Sequence, residues 1–136
     1  MRSWLVDTNV ILDVLGADAT FGESSAKTLS DCAQTGVLVV NSVILAEVSA
    51  TLDSLEELNE LMPSALFRRD AIPLEASFLA GRAFYAYKHR GGQKGRVLAD
   101  FLIGAHAATA EFGLLSRDEG YKTFFKLELL NPASAG

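Results

Sequence analysis

The sequence predicts an α/β fold in which a mostly parallel sheet is covered by helices on both faces, giving three layers. Short apolar runs typical of strands alternate along the chain with segments of helical periodicity. The second run, GVLVV at 36–40, has no polar residue, which is typical of a parallel strand buried on both faces. A length of 136 residues and an apolar content of 49% suit a single domain with one continuous core.

The first strand–helix unit is followed by a longer helix. The run SWLV ends at Asp7, and the following TNVILDVL has apolar residues at helical spacing, with Thr8 or Asn9 available as N-cap. A second helix is predicted over about 22–35, and Gly36 can act as its C-terminal cap.

The second strand–helix unit combines the strand at 36–40 with a helix capped by Asn41 or Ser42. Glu47 is expected within the opening turns of that helix. Leucines at three-residue spacing among acids then predict an amphipathic surface helix over 53–62, inserted into the alternation of strands and helices.

The second half of the chain continues the alternation. A weak strand candidate at 71–74 is followed by a helix that runs from 75 into a basic segment. The next helix covers VLADFLIGAHAATAEF and is ended by Gly113. The strand LLS, the short helix DEGYKTFF and the final strand LELL complete the chain's predicted elements. Right-handed crossovers bring the carboxyl ends of such strands to one edge of the sheet.

The chain is acidic overall but basic in one segment. Its formal net charge of −5 argues against a protein whose whole surface binds polyanions. The segment KHRGGQKGR at 88–96 nevertheless holds Arg90, Lys94 and Arg96 and contains no acid. It is interpreted either as a guide for a phosphate-bearing substrate, with these residues in contact with it, or as a solvated, glycine-rich connection.

The cellular environment is suggested by what the sequence lacks. No segment is long and apolar enough to span a bilayer, and the N-terminus has no cleavage region of a signal peptide. The single Cys32 excludes an intramolecular disulfide, which agrees with a reducing compartment. We therefore expect a cytoplasmic protein that does not bind membranes.

Four acidic residues stand where an α/β sheet places its binding residues. Asp7 and Asp118 follow strands, and Glu47 and Asp100 lie in early turns of helices. Two carboxylates about 4 Å apart repel by roughly 1 kcal/mol in water and about 4 kcal/mol at an effective dielectric of about 20, so four together require protonation or a divalent cation. An all-oxygen site suits Mg²⁺ or Mn²⁺ better than Zn²⁺. Metal-activated water beside a phosphodiester would make the site a nuclease.

Taken singly, each acid has a simpler explanation as a helix cap or a turn residue, and the set is what favours a metal site. Glu47 is the most informative member, because its apolar neighbours are expected to be buried. Asp13, six residues after Asp7, is expected to be solvated. His106 is expected to pack between helices or lie at the surface rather than act as a base.

Four motifs surround these acids in a fixed order: VDTNVILDV, LAE, LADFLIGAHA and LLSRDEGYKTFF. They resemble the successive motifs of the PIN-domain family over nearly the full length of the chain, and more narrowly those of the VapC toxins of bacterial toxin–antitoxin pairs. The resemblance implies a single PIN domain over 1–136 and an Mg²⁺- or Mn²⁺-dependent endoribonuclease. It also implies a cognate VapB-like antitoxin that blocks the site, and usually a homodimer.

The resemblance also assigns roles to individual residues. The four family acids correspond to Asp7, Glu47, Asp100 and Asp118, and metal binding is expected from Asp7, Asp100 and Asp118. Asn9 corresponds to the residue that supports the first acid. Ser116 retains a hydroxyl that can contact a metal-bound water or a neighbouring acid, or cap the following helix. Arg117 is the basic member of the same motif and a further candidate for substrate binding.

Two other classes of function remain open at this stage. A non-catalytic PIN-like module would bind RNA or protein without cutting, although the presence of all four acids argues against a decayed site. A phosphoryl-transfer domain of the receiver or haloacid dehalogenase kind also has an Asp after its first strand. It needs an acidic partner nearby and a Lys near a later strand end, whereas Asn9 and Arg117 occupy the relevant positions.

The expected antitoxin can be placed only on the amphipathic helix. The helix around 52–62 and the segment before it can form an apolar groove for an inserted peptide whose arginine reaches the acids. In the other interpretation, the same apolar stripe faces the core.

Overall fold

In the computed structural model, which describes residues 1–91 and 96–134, strands and helices alternate along the chain. The strands are β1 (Arg2–Val6), β2 (Gly36–Val40), β3 (Phe67–Arg69), β4 (Gly113–Leu115) and β5 (Leu129–Leu130). The helices are α1 (Thr8–Leu15), α2 (Gly22–Thr35), α3 (Ser42–Ser49), α4 (Leu55–Leu61), α5 (Leu74–His89), α6 (Leu98–Ala110) and α7 (Tyr121–Phe124). Within the described ranges, no helix is long and apolar enough to cross a membrane.

The strands form one parallel sheet in the order β3-β2-β1-β4-β5. This arrangement confirms the predicted α/β fold. Because the strands run in one direction, the residues that follow them gather at one edge of the sheet. The residues that follow β1, β2, β3 and β4 are Asp7, Asn41, Asp70 and Ser116.

The core lies on the central strands and under α5 and α6. Leu5, Val39 and Leu114, from three neighbouring strands, are fully buried in the larger apolar cluster. A smaller cluster packs α5 against α6, with Phe101 near its centre. Each such side chain contributes about 1.5–3 kcal/mol through removal of its apolar surface from water. The core therefore holds the central strand ends in place.

One local prediction was wrong, and another residue has an additional role. The third strand lies at 67–69 rather than 71–74, because Pro73 has no N–H for a ladder and forms the N-cap of α5, whereas Phe67 is buried against the core. Gly36 is the C-cap residue of α2, as predicted, but its backbone is extended because the same residue begins β2. A Cβ atom on Gly36 would lie 2.2 Å from the Arg2 carbonyl oxygen, so the close pairing of β1 with β2 requires glycine there.

The inserted helix α4 is shorter and more exposed than predicted. It covers Leu55–Leu61, and the Ser54 side chain accepts a hydrogen bond from the Glu57 backbone N–H as its N-cap. None of the residues of α4 is buried. The apolar stripe is divided: Leu52, Leu58 and Met62 pack against the main core, as one interpretation predicted, whereas Leu55 and Leu61 are exposed.

Replacement by alanine should change the free energy of unfolding in opposite directions at two helical glycines. A Cβ on Gly81 in α5 would meet nothing within 4 Å, so Gly81→Ala should raise the free energy of unfolding by about 0.5–1 kcal/mol. A Cβ on Gly104 in α6 would lie 2.5 Å from the Phe125 ring, so Gly104→Ala should lower it by about 1–3 kcal/mol. Urea unfolding measures both changes, and equal effects of the two substitutions would contradict the described packing of α6.

Candidate functional site

Asp7 is the most buried of the four predicted acids, with 5% of its surface exposed. It caps α1, since its Oδ1 accepts a hydrogen bond from the Thr8 backbone N–H at 2.8 Å, so the cap is Asp7 rather than Thr8 or Asn9. Its Oδ2 accepts hydrogen bonds from Ser116 Oγ at 2.7 Å and Asn9 Nδ2 at 3.3 Å. Burial nevertheless raises the pKa of Asp7 to about 6. A bound cation would favour the ionised form of this carboxylate.

Asn9 and Ser116 connect α1 to the loop after β4. The Asn9 amide donates to Ser116 Oγ at 3.2 Å, and Asn9 Oδ1 accepts from the Arg117 backbone N–H at 3.2 Å. Ser116 Oγ also accepts from the Asp118 backbone N–H at 3.0 Å. Ser116 therefore contacts the neighbouring acid and orders the loop that carries Asp118, but it does not cap α7, whose N-cap is Gly120.

Glu47 is joined to the same centre through Thr8. The Thr8 hydroxyl donates to Glu47 Oε1 at 2.5 Å, and the charge of Glu47 contributes to the raised pKa of Asp7. Glu47 lies in the second half of α3 rather than in its opening turns, because the helix begins at Ser42. Sequence reasoning missed the part played by Thr8, although Thr8 belongs to the DTN motif.

Tyr121 is buried near the predicted acids. Its pKa is raised first by burial and then by the charges of Asp7, Asp100 and Asp118. Asp100 lies in the first turn of α6 as predicted, where its Oδ2 accepts from the Val97 backbone N–H at 3.1 Å. Tyr121 lines one small cavity together with Asp100 and Arg96, and no pattern in the sequence identifies this residue.

Asp118 is ion-paired with Arg96. Arg96 Nη1 donates to Asp118 Oδ2 at 2.6 Å and Nη2 donates to Oδ1 at 2.9 Å, and the Gly120 backbone N–H donates to Oδ1 at 2.9 Å. The hydrogen bonds from Arg96, assisted by Gly120, hold the pKa of Asp118 below its usual value. A helix dipole does not account for this lowered pKa, because α7 begins only at Tyr121 and has four residues.

Asp13 is buried, so the expectation of a solvated Asp13 was wrong. Arg117 Nε and Nη2 donate to its two oxygens at 2.7 and 3.0 Å, and Ser25 Oγ donates to Oδ2 at 2.8 Å. The Arg117 guanidinium also lies 4.0 Å from the centre of the Phe21 ring. Because α1 packs against α2, this face of α1 is closed to water. The signal in the sequence was the position of Asp13 within the apolar run of TNVILDVL.

The basic residues expected to contact substrate lie in different environments. Arg117 is held by Asp13, and Arg96 is held by Asp118. Arg90 is exposed immediately after α5. Lys94 lies outside the described residues. Arg96 is therefore the described candidate in direct contact with one of the four acids.

A second polar network lies at the same sheet edge. The Asn41 amide donates to His106 Nδ1 at 3.0 Å, while Asn41 Oδ1 accepts from the Ile44 backbone N–H and caps α3. His106 must then carry its proton on Nε2, which lies 3.1 Å from Asp70 Oδ2. His106 is fully buried, in agreement with the predicted packing role. The network connects α6 to the helix that carries Glu47.

The donor chemistry of the site fits a hard divalent cation, because carboxylate oxygens predominate. Within residues 1–91 and 96–134, no three His, Cys, Asp or Glu side chains lie close enough to enclose an ion as they stand. The hydrogen bonds to Asp118 explain part of this, since both of its oxygens are occupied. Asp7, Glu47 and Asp100 accept hydrogen bonds from backbone N–H groups, hydroxyls and an amide rather than from a cationic side chain, and they fit a divalent cation as ligands.

Residues 4–126 match the family model described as the PIN domain. The chain belongs to the PIN-domain family. The structural neighbours share this fold. VapBC2 from Rickettsia felis, bound to a DNA fragment from its promoter, has a TM-score of 0.74 and 18% identity, with 96% of this chain and 98% of that chain covered.

Two further neighbours belong to other organisms. FitAcB from Neisseria gonorrhoeae has a TM-score of 0.71 and 22% identity, with 96% and 99% of the two chains covered. VapC20 from Mycobacterium tuberculosis, described as a toxin that cleaves the sarcin–ricin loop, has a TM-score of 0.65 and 12% identity, with 88% and 93% covered. Among curated proteins, none is similar to this PIN domain in sequence.

The buried pair of Asp13 and Arg117 should stabilise this PIN domain. Asp13→Asn leaves the guanidinium without its carboxylate, and we expect the free energy of unfolding to fall by about 2–4 kcal/mol. Asp31→Asn is the matched control, because it breaks the exposed pair with Lys27 and should cost less than about 1 kcal/mol. Urea unfolding compares the two variants, and a similar small loss in both would contradict a structural role for Asp13.

Asp7 should make the stability of the PIN domain depend on pH between about 4 and 6. Its pKa is 3.8 in the absence of structure and about 6 in the folded protein, so the folded state holds the proton more tightly. The free energy of unfolding should fall as pH rises through this window, by on the order of 3 kcal/mol in total. Asp7→Asn should remove this slope and stabilise the metal-free protein at pH 7, as measured by urea unfolding at several pH values.

Asp118→Asn provides a control of opposite sign for that experiment. Because the pKa of Asp118 is lowered, its ionised form stabilises the folded protein above pH 3.8, and this contribution is lost as pH falls further. The Asn variant should therefore be less stable than wild type at pH 7. The environments described for the two acids would be contradicted if Asp118→Asn were more stable than wild type at pH 7. They would also be contradicted if the pH dependence of the free energy of unfolding persisted in Asp7→Asn.

Proposed function

We propose that this PIN domain is a cytoplasmic, metal-dependent endoribonuclease toxin of the VapC type, which hydrolyses RNA phosphodiester bonds and is inhibited by a VapB-like antitoxin. The observation that carries the proposal is the hydrogen-bonded connection of Asp7 to Glu47 through Thr8 and to the loop of Asp118 through Ser116, at the carboxyl edge of the sheet. The fold is shared with toxins of toxin–antitoxin complexes, and one neighbour is described as an RNA-cleaving toxin.

Asp7 and Asp100 are the residues that would hold Mg²⁺ or Mn²⁺, together with Glu47 on the opposite side of Thr8. When bound, the ion supplies an activated water and stabilises the charge that develops on the phosphate oxygens. Ser116 and Asn9 orient Asp7 through hydrogen bonds, so that its carboxylate does not have to reorganise. Asp118 completes the acidic set beside Arg96.

The exposed helix α4 is the surface proposed for the antitoxin. Leu55, Leu61 and Leu66 have 68%, 39% and 49% of their surface exposed. An amphipathic segment of the antitoxin can cover these leucines, which water otherwise contacts. An arginine on that segment would add a positive charge to the acidic edge.

The outer face of α5 is proposed as the contact between two copies of the chain. Leu74, Phe78 and Tyr85 lie on one face of this helix with 82%, 71% and 58% of their surface exposed. A homodimer would bury this face. Sedimentation of the purified protein in the absence of antitoxin measures the association directly.

Cleavage of total RNA by the antitoxin-free protein tests the proposed activity. We expect discrete products in Mg²⁺ or Mn²⁺, none in EDTA, and a loss of at least about 100-fold in rate for Asp7→Asn and Asp100→Asn. Asp31→Asn, an exposed acid on α2, should cleave like wild type.

Cleavage that persists in EDTA or in both acid variants would remove the catalytic assignment. Binding of RNA without cleavage would favour the alternative of a non-catalytic module. That alternative draws on one observation, the occupation of both Asp118 oxygens by other groups.

A further inference from the structure

Arg96 is held in one position by the groups around it. Two hydrogen bonds join its guanidinium to Asp118, at 2.6 and 2.9 Å. The guanidinium carbon also lies 6.0 Å from the centre of the Tyr121 ring and 5.8 Å from that of Phe124. The Arg96 side chain is 22% exposed. The guanidinium is thus fixed like a buried group but still reaches solvent.

Gly120 provides the space that Arg96 occupies. A Cβ atom at this position would lie 1.8 Å from Arg96 Nη2 and 2.9 Å from Asp118 Oδ1. Its backbone angles, φ −63° and ψ −22°, are ones that any residue adopts. The requirement for glycine is therefore one of space for the guanidinium rather than of backbone conformation.

Asp118 differs from the other acids in its hydrogen bonds. Its oxygens accept two hydrogen bonds from Arg96 and one from Gly120, whereas Asp100 accepts one from the Val97 backbone N–H at the start of α6. A cation approaching Asp118 would have to displace a bidentate guanidinium, which is among the strongest partners of a carboxylate.

The ion pair leaves part of the guanidinium available. Asp118 accepts one N–H from each terminal nitrogen, so Nε and the second N–H of each terminal nitrogen remain as donors. Arg96 and Asp100 line the same small cavity, which places the guanidinium near an expected metal ligand. A phosphate bound by Arg96 would thus lie beside Asp100.

We propose that Arg96 binds a phosphate of the RNA substrate, and that Asp118 is a positioning residue that holds Arg96 rather than a ligand of the metal. The inference rests on the proposed function, because the phosphate belongs to the strand that is cut. Arg96 then presents a fixed positive charge to the phosphate oxygens on which negative charge develops. The acids that bind metal reduce to Asp7, Asp100 and Glu47.

A double-mutant cycle separates this arrangement from its alternatives. The variants are Arg96→Gln, Asp118→Asn and their combination, together with Gly120→Ala, which should displace the guanidinium without removing a charge. Arg2→Gln is the matched control, since it breaks an exposed pair with Glu128 away from the site. Circular dichroism and urea unfolding verify that each variant is folded.

Two binding measurements are made on each variant. Fluorescence anisotropy in EDTA gives the affinity for a labelled single-stranded RNA, with inorganic phosphate as competitor, and calorimetry gives the affinity for Mn²⁺ without RNA. We expect Arg96→Gln, Asp118→Asn, Gly120→Ala and the double variant each to weaken RNA binding about tenfold, without addition in the double variant. Affinity for Mn²⁺ should change less than about twofold in these variants but at least about tenfold in Asp100→Asn.

Three results would overturn the inference. Weakening of Mn²⁺ binding by Asp118→Asn as strong as that by Asp100→Asn would make Asp118 a ligand. A gain in Mn²⁺ affinity for Arg96→Gln would show that the guanidinium occupies the place of the metal. RNA affinity that is unchanged in Gly120→Ala and Arg96→Gln would remove the phosphate site.

Failure of the proposed function has a different signature. If the variants lose RNA affinity as expected while the wild-type protein neither binds Mn²⁺ nor cleaves RNA, Arg96 remains a phosphate-binding residue of a non-catalytic module. If it cleaves RNA and the cycle shows no coupling between Arg96 and Asp118, the nuclease remains and the inference fails.

Discussion

Burial of the Asp7 carboxylate at the end of the central strand is the constraint on which the site depends. An ionised group with 5% exposure is stable only if donors surround it, and these come from Thr8, Ser116 and Asn9. Each donor belongs to an element that must be in place for the bond to form. The carboxylate thus links the start of α1 to the loop after β4.

Two arginines near this centre are each held in place by a different acid. Arg117 is held away from the centre by Asp13, while Arg96 is held at its rim by Asp118. In a chain of net charge −5, a guanidinium near several carboxylates would otherwise have several alternative partners. Bidentate pairing assigns each arginine to one acid and fixes the geometry as well as the charge.

The network of Asn41, His106 and Asp70 stabilises the other side of the same edge. Its buried hydrogen-bonding atoms have partners, and among the described residues no buried side-chain nitrogen or oxygen lacks one. Satisfied polar groups in a core favour one arrangement over others. Since Asn41 also caps α3, this rigidity extends to the helix that places Glu47 next to Thr8.

The sequence by itself determined the α/β class, the extent of α2, the Asn41 cap and the four acidic motifs, because periodicity, capping and strand ends are local properties of the chain. It could not place β3, since short strands depend on a neighbour for their hydrogen bonds. Tertiary structure alone decided that Asp13 is buried, that Tyr121 is buried near the acids and that Arg96 contacts Asp118. These contacts join residues from distant segments, such as Asp13 with Arg117, and the pairing of charges depends on which helix faces pack together.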